Sequence, residues 1–351
     1  MATADCEAMS EMGNSIALRV SLSVNLAIAI ISIPIFIKAS SYLLESKIFH
    51  RNTRIQIQVH IFGLVLHSVG RIALHCWDLK NYFSRFENGC EILPDFYRCL
   101  VSRGLYNFGL SMVEVCSISL AIERIIAYRL NGTYENSSIL IGIALGALQF
   151  FFAFCFLYKL YYYAPFKPSD EIVLYYCQTL ASGNGSVWTI NAPLYATMVS
   201  HILTRIVFYI LTKKNQNLRV ADQFMNLSSK YTLQQGIRSI KVLKKFIVVN
   251  TCVFAILSVV ETALHFNKLN FSAPTYFALV EIVHMYPSYG IFLSLYLFWS
   301  IKKMDKTYKS QFDEGMSSGQ DKYFEMFDKL AQPMKFPSRP IIKKKKLSDV
   351  Q

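Results

Sequence analysis

The stretch RVSLSVNLAIAIISIPIFIKASS, residues 19–41, is apolar over a length that is sufficient to cross a lipid bilayer. A membrane-spanning helix needs about 20 mostly apolar residues, each rising about 1.5 Å. Six further stretches of this kind follow, at residues 55–76, 100–126, 138–158, 190–211, 243–264 and 273–299. The runs are continuous, whereas strands of a membrane barrel are shorter and alternate in polarity. The sequence therefore predicts an all-α integral membrane protein with seven transmembrane helices in a bundle.

The composition fits a single integral membrane domain. Hydrophobic residues make up 53% of the 351 residues and charged residues only 17%, a balance that is unusual for a soluble fold of this size. We divide the chain into an extracellular N-terminus (1–18), the seven-helix domain (19–299), an amphipathic juxtamembrane helix (300–313) and a cytoplasmic tail (314–351). An apolar stripe flanked by lysines predicts the juxtamembrane helix, since this pattern is typical of helices that lie on a membrane surface.

Lys and Arg are distributed unevenly between the two sides of the membrane. Segments 42–54, 124–137, 212–245 and 301–351 contain 25 of the 36, whereas segments 1–18, 77–98, 159–189 and 265–272 contain six. Because these residues resist translocation in short loops, the richer side is predicted to be cytoplasmic, with the N-terminus outside. The net charge of +13 is explained by this topology and by attraction to anionic membrane lipids. Membrane lipids are therefore the predicted partners of this charge, and nucleic acid is not.

Cysteines and a glycosylation sequon fall on the predicted outer side, where disulfides can persist. Five cysteines lie outside the spans: Cys6, Cys76, Cys90, Cys99 and Cys177. We predict a disulfide between Cys99, at the top of helix three, and Cys177, in the second outward loop. A pairing through Cys90 is the alternative. Asn184 lies in a Gly- and Ser-rich part of the same loop and is the predicted glycosylation acceptor.

Ionisable residues inside the spans mark the candidate sites, because a charged group in a bilayer is costly unless it pairs or lines a cavity. Arg103, Asn107 and Glu114 recur on one face of helix three. The candidates for a pocket open to the outside are Arg71, Arg103, Asn107, Glu114, His201, Glu261, Glu281 and His284. For each of them the alternative is a structural role, in which the residue joins two helices by hydrogen bonds.

At the predicted inner end of helix three, Glu123 and Arg124 stand side by side. Arg124 follows Cys99 by 25 residues, or about 38 Å of helix, so one helix carries an outer cysteine and an inner acid–base pair. This combination resembles the rhodopsin-like receptors. The resemblance implies that the two residues restrain the inactive state and that the arginine contacts a G protein.

Longer runs of residues resemble a narrower group of receptors. IERIIA (122–127) followed by Tyr134-Glu135, LSSKYTL (227–233) in the third inward loop, and Tyr286-Pro287 are similar to the nematode serpentine chemoreceptors of the alpha/beta class. The similarity extends from helix one to the end of helix seven, with departures in the loop at Thr232, Gln235 and Gly236. It implies a chemosensory G-protein-coupled receptor that crosses the plasma membrane several times, with a sensory cilium as one location.

Together, the residues and the resemblance predict a receptor that binds an external small molecule in the outer half of the bundle and signals to a heterotrimeric G protein. The predicted coupling residues are Glu123, Arg124, Lys230 and Tyr231. Pro287 removes one backbone hydrogen bond and is the predicted hinge of helix seven. Cofactors, metals and enzymatic activity are not predicted, because the histidines are scattered singly. The alternative is a seven-span transporter or channel that uses the buried Arg and Glu.

Overall fold

The computed structural model describes residues 3–46, 48–84, 87–92, 96–130, 133–134, 137–163, 187–220 and 227–317. The helices are α1 (Thr3–Asn14), α2 (Ile16–Glu45), α3 (Arg51–Phe83), α4 (Phe96–Leu130), α5 (Leu140–Tyr163), α6 (Val187–Val220), α7 (Leu227–Phe266), α8 (Ala273–Val283) and α9 (Tyr286–Ser317). Short 3-10 turns lie at Gly89–Ile92 and Lys268–Asn270. No strand occurs within these described ranges, and the predicted all-α fold is confirmed.

Within the described part of the chain, six helical rods are long and apolar enough to span a membrane: α2, α3, α5, α6, α7 and the α8–α9 pair. The remaining predicted span is α4, which has 35 residues but includes Arg103, Glu114, Glu123 and Arg124 in its apolar run. It packs against α3, α5 and α6, so these charged groups face protein rather than lipid. A central position in the bundle therefore accommodates the charged groups of this span.

The two ends of the bundle are named after the direction of α2. The amino-terminal end of the bundle is where α2 begins, and the carboxyl-terminal end is where α2 ends. Several helices extend past the predicted limits of the spans, and α7 begins at Leu227 rather than at residue 243. Much of the predicted third inward loop is therefore helical. The aliphatic and aromatic core extends toward the carboxyl-terminal end around Phe36, Phe246, Phe254 and Leu293, all buried.

Glycines allow α3 and α4 to approach each other closely. A Cβ added to Gly109 would lie 2.5 Å from the carbonyl oxygen of Gly63 and 2.5 Å from the backbone nitrogen of His67. A Cβ on Gly70 would lie 2.6 Å from the backbone nitrogen of Tyr106. Small residues at such crossings are the usual means of close helix packing in membranes. The close approach positions the polar faces of the two helices against each other.

The first residues of the chain form a cap rather than an extended terminus. Helix α1 lies over the amino-terminal end of the bundle, where Met9 and Met12 are buried in a cluster with Leu18 and Tyr276. A disulfide joins Cys6 of α1 to Cys90 in the 3-10 turn after α3. The sequence predicts a disulfide through Cys90 as an alternative, but it does not identify Cys6 as the partner.

Helix seven of the prediction is broken into α8 and α9. α8 ends at Val283, α9 begins at Tyr286, and Pro287 is the second residue of α9. Proline is tolerated in the first turn of a helix, where its missing N–H is not needed. α9 then continues to Ser317, so residues 300–313 extend this helix instead of forming a separate one. Residues 291–314 contain neither Gly nor Pro, and nothing in their sequence interrupts the helix.

Candidate functional site

A buried ionic cluster lies between α3, α4 and α8 in the amino-terminal half of the bundle. Arg103 Nη2 donates to Glu281 Oε1 at 3.1 Å, and Arg71 Nη2 lies 3.5 Å from Glu281 Oε2. The Nε2 atom of His75 also lies 3.5 Å from Glu281 Oε2. Glu281 and Arg71 are fully buried, and Arg103 is 4% exposed. Charges at this depth are stable only when they pair, so the cluster ties three helices together.

Arg71 also reaches the break in helix seven. Its Nη2 donates a short hydrogen bond to the carbonyl oxygen of His284, the first residue after α8. Its Nη1 donates to Asn25 Oδ1 at 2.5 Å, and Asn25 Nδ2 donates to the carbonyl oxygen of Glu281 at 2.8 Å. A helix break leaves carbonyl groups without intrahelical donors, and buried carbonyls need partners. Side chains of α2 and α3 supply those donors here.

Tyr106 of α4 lies beneath both arginines. The guanidinium carbon of Arg71 is 5.2 Å and that of Arg103 is 5.0 Å from its ring centroid, which is cation–π geometry. The hydroxyl of Tyr106 accepts a hydrogen bond from Arg71 at 3.2 Å. The aromatic face therefore holds the two cationic groups in a common layer.

Three other predicted pocket residues lie next to this cluster or deeper. His284 Nε2 lies 3.1 Å from Glu261 Oε1, which joins α7 to the helix-seven break. Glu114 accepts a hydrogen bond from Thr197 Oγ1 at 3.3 Å, which joins α4 to α6. Glu114 is 8% exposed and lies two helical turns below Asn107 on α4. Glu261 and Glu114 thus belong to contacts of α6 and α7, separate from the Glu281 pairs.

Two predicted residues are not joined to the cluster by any described hydrogen bond. His201 is fully buried and stacks on Phe254, with ring centroids 4.9 Å apart and an interplanar angle of 17°. Its two ring nitrogens, and Asn107 Nδ2, have no hydrogen-bond partner in the part of the chain that the structure describes. These residues line the interior without contributing to the ion pairs.

A second polar network lies at the carboxyl-terminal end, around the predicted coupling residues Glu123 and Arg124. Arg124 donates to Glu123 through Nε and Nη2, both at 2.5 Å, to Thr53 Oγ1 at 2.5 Å and to Ser239 Oγ at 3.2 Å. Glu123 also accepts from Thr53 at 2.9 Å, and a short bond from the hydroxyl of Tyr134. Both charged residues are buried. The network therefore links α3, α4 and α7.

Burial of Tyr134, and the negative charge of Glu123 beside it, raise the pKa of the tyrosine above its usual range. The hydroxyl accordingly remains a proton donor to Glu123 at physiological pH. A cavity of about 50 Å³ lies beside this network, lined by Arg124, Tyr128, Asn215 and Gly236 among others. That volume has room for a few water molecules only, so this cavity does not admit a segment of another protein.

Some predicted residues fall partly or wholly outside the described part of the chain. Lys230 and Tyr231 belong to the first turns of α7, but their side chains are not described. Cys99 is disulfide-bonded, and its predicted partner Cys177 lies outside the described residues. Asn184 also lies outside them. The pairing of Cys99 with Cys177 and the glycosylation of Asn184 stay predictions.

Sequence reasoning missed several members of both networks. In the ionic cluster these are Asn25, His75 and Tyr106, and in the second network Thr53 and Ser239. His75 had a usable signal, since it follows Arg71 by four residues and therefore shares its helix face. The others carry uncharged side chains, and only their neighbours in space make them part of a site.

Comparison with known proteins matches this chain to a family of membrane receptors. The family described as "Serpentine type 7TM GPCR receptor class ab chemoreceptor" matches residues 3–332. "Serpentine receptor class alpha-10" of Caenorhabditis briggsae is 22% identical over 134 residues, which are 38% of this chain and 40% of the relative. Its Caenorhabditis elegans namesake is 25% identical over 134 residues, with the same coverage of both chains. "Serpentine receptor class alpha/beta-14" of Caenorhabditis elegans is 26% identical over 206 residues, or 57% of this chain and 50% of the relative.

The chain thus matches half or less of the length of each of these three relatives. The family match is far more extensive, since it begins in α1 and continues past the end of α9. It includes the six membrane-length helical rods and the polar α4 that packs among them. On this evidence the chain is a multi-pass membrane protein that belongs to the serpentine class ab chemoreceptor family of seven-transmembrane G-protein-coupled receptors.

Proposed function

We propose that this chain is a chemosensory receptor of the plasma membrane that binds an external small molecule in the amino-terminal half of the bundle. Binding then favours a state that opens the carboxyl-terminal end to a heterotrimeric G protein. The family is a class of chemoreceptors and not of enzymes, which supports the receptor role. The ligand site and the coupling site are our own assignments, argued from the two polar networks.

The orientation that this proposal needs has the N-terminus outside. The uneven distribution of Lys and Arg supports it, with 25 in the predicted inward segments and six in the outward ones. The disulfide between Cys6 and Cys90 at the amino-terminal end supports it independently, because disulfides persist outside the cytosol. Epitope tags at both termini test it: on intact cells the N-terminal tag alone should bind antibody. An accessible C-terminal tag would overturn the orientation.

The observation that carries the proposal is the double role of Arg71. This one guanidinium contacts Glu281 in the ionic cluster and the carbonyl of His284 at the break in helix seven. A polar ligand that exchanges with Arg71 or Glu281 changes the donors that hold the break. The angle between α8 and α9 then depends on whether a ligand is bound in the amino-terminal half. Because α9 runs to the carboxyl-terminal end, a change in this angle moves that end of the helix. Ligand and hinge are thereby coupled through a single residue.

At the carboxyl-terminal end, the proposed switch is the network around Arg124. In this structure its guanidinium is held by Glu123, Thr53 and Ser239 and is 4% exposed. A G protein cannot contact Arg124 until these bonds open. Separation of α7 from α4 breaks the bond to Ser239 and exposes the arginine, while the neighbouring basic start of α7 supplies further docking surface. The closed structure therefore corresponds to the uncoupled state.

A chemical screen tests the function directly. Cells that express the full chain with a calcium or cyclic-nucleotide reporter are exposed to a panel of small molecules, and membrane current is recorded in parallel. We expect one or more compounds to raise the reporter signal in a G-protein-dependent manner without a ligand-gated current. A current that persists when G proteins are inactivated would instead favour the channel or transporter alternative, which the buried Arg and Glu also permit.

A further inference from the structure

A long groove lies on the lipid-facing side of the bundle, between α2, α3 and the first half of α5. It has a volume of about 730 Å³. Along α3 it extends from Arg51 to Val65, 14 residues or about 21 Å. Most of its lining is apolar, and Ile37 and Phe62 are 57% and 45% exposed. In a membrane protein, an exposed apolar surface of this kind contacts lipid tails.

The two ends of the groove differ in charge. Arg51 and Arg54 line the end that lies at the carboxyl-terminal side, and Phe36, Phe62 and Val65 line the opposite end. Arg54 Nη1 donates to the carbonyl oxygen of Leu44 at 2.6 Å, which holds its guanidinium at the mouth of the groove. Neither arginine forms an ion pair with any residue that the structure describes.

The middle of the groove offers no unpaired polar group. Ser40 Oγ donates to Gln58 Oε1 at 2.5 Å, and Gln58 Nε2 donates to the carbonyl of Ser40 at 2.8 Å. The two side chains satisfy each other, so an apolar occupant loses no hydrogen bonds by lying over them. The nearest acidic residue in sequence is Glu45, which follows Leu44 but does not line the groove.

We propose that this groove binds an anionic phospholipid, with one acyl tail along α2 and α3 and the headgroup between Arg51 and Arg54. The length and apolar lining match a lipid tail, and the two cations match the negative headgroup at the depth where α3 enters the membrane. The proposal does not depend on the ligand proposed above; it rests on the proposed orientation in placing Arg51 and Arg54 at the cytoplasmic leaflet, where anionic lipids are concentrated.

Native mass spectrometry of the purified full chain in detergent tests this proposal. Phosphatidylserine and phosphatidylcholine with identical tails are titrated separately, and bound lipid is counted. We expect phosphatidylserine to bind more tightly. In the double variant Arg51→Gln/Arg54→Gln its affinity should fall about thirtyfold, or about fivefold for each lost charge near an anionic lipid. The control is Lys302→Gln/Lys303→Gln, which removes two exposed charges outside the groove and should leave the affinity unchanged.

A second variant keeps both arginines and fills the groove instead. Ser41 is exposed and lines it, so Ser41→Trp should lower the binding of both lipids. Soluble glycerophosphoserine, which has the headgroup without tails, should not compete at concentrations where the whole lipid saturates. Equal loss in the arginine and lysine variants, or full competition by the soluble headgroup, would overturn the proposal. Unchanged binding to Ser41→Trp would also contradict it.

Discussion

At the scale of single residues, Glu281 decides whether the amino-terminal half of the bundle is stable. Two arginines and one histidine surround this carboxylate, and all are buried. Attraction alone does not guarantee a net gain, because burial of each charge has a desolvation cost. The cost of removing the carboxylate is clearer, because the buried cationic groups then lack a counter-charge in a medium that cannot solvate them.

Glu281→Gln should therefore destabilise the purified protein strongly, by about 3 kcal/mol or more. The substitution keeps the shape of the side chain and removes only its charge. The measurement is a thermal melt in detergent, with Glu91→Gln as the control, since Glu91 is exposed at the same end of the bundle. If the two variants melt at the same temperature, the cluster contributes no stability.

Arg124 is the residue that we propose for coupling to the G protein. Arg124→Ala should abolish ligand-evoked reporter signalling at unchanged surface expression, because the variant loses the group that we assign to the G protein. Arg129→Ala is the matched control: it lies on the same helix, is exposed, and is absent from the Arg124 network. Full signalling by Arg124→Ala would remove this residue from the mechanism.

At the scale of elements, the distance between α3 and α4 depends on glycine. An alanine methyl group at residue 109 would overlap backbone atoms of α3 at 2.5 Å, and a backbone cannot move aside as a flexible side chain can. Gly109→Ala should therefore lower the unfolding free energy by about 1–3 kcal/mol. In Gly146→Ala the new methyl group would meet its nearest neighbour at 3.5 Å, an ordinary contact. Thermal melts of both variants compare them, and equal melting temperatures would show that α3 and α4 can separate at little cost.

The break in helix seven is the second element with a testable role. Pro287→Ala restores a backbone N–H near the start of α9, which favours a continuous helix and reduces the freedom of the proposed hinge. Ligand-evoked signalling should fall several-fold at equal surface expression. Pro274→Ala is the control: Pro274 also lies in a first helical turn, but α8 follows the non-helical residue Ser272, so the substitution joins no two helices there. Equal responses of the two variants would argue against a hinge at residues 284–285.

At the scale of the whole molecule, contacts between described residues hold the helices together at both ends of the bundle. Helix α1 covers the amino-terminal end through Met9 and Met12, and the Cys6–Cys90 disulfide holds it there. At the opposite end the Arg124 network closes the space between α3, α4 and α7. In the proposed function, a ligand from outside passes beside this cap, and the G protein opens the Arg124 network.

Cys6→Ser should detach the cap and lower the unfolding free energy by about 2–4 kcal/mol, the usual contribution of a disulfide. Surface expression should fall with it. Cys76→Ser is the control, because Cys76 is a free and exposed cysteine near the same end. A melting temperature of Cys6→Ser that equals that of Cys76→Ser would show that α1 is held by its apolar contacts alone.

Much of the architecture follows from local sequence properties. Apolar runs of bilayer length predict the spans, because a backbone in lipid must satisfy its own hydrogen bonds within a helix. The spacing of Arg103, Asn107 and Glu114 predicts the polar face of α4, and the Glu123–Arg124 pair predicts a charged site at its other end. The resemblance of the residue runs to the alpha/beta chemoreceptors is confirmed over residues 3–332.

Local sequence properties do not predict the partners of those charges, because the partners come from residues far apart along the chain. Glu281 meets Arg103 across 178 positions, and Arg71 meets the His284 carbonyl across 213. Periodicity assigns a residue to a face of its own helix but does not say which helix lies opposite. Which helices are neighbours decides the pairing of Cys6 with Cys90 and the hydrogen bonds of Asn25 and Ser239. The sequence by itself determined the apolar spans and their polar faces; only the tertiary structure revealed α1, the break in helix seven and which faces meet, since helix packing is set by the shapes of many side chains at once.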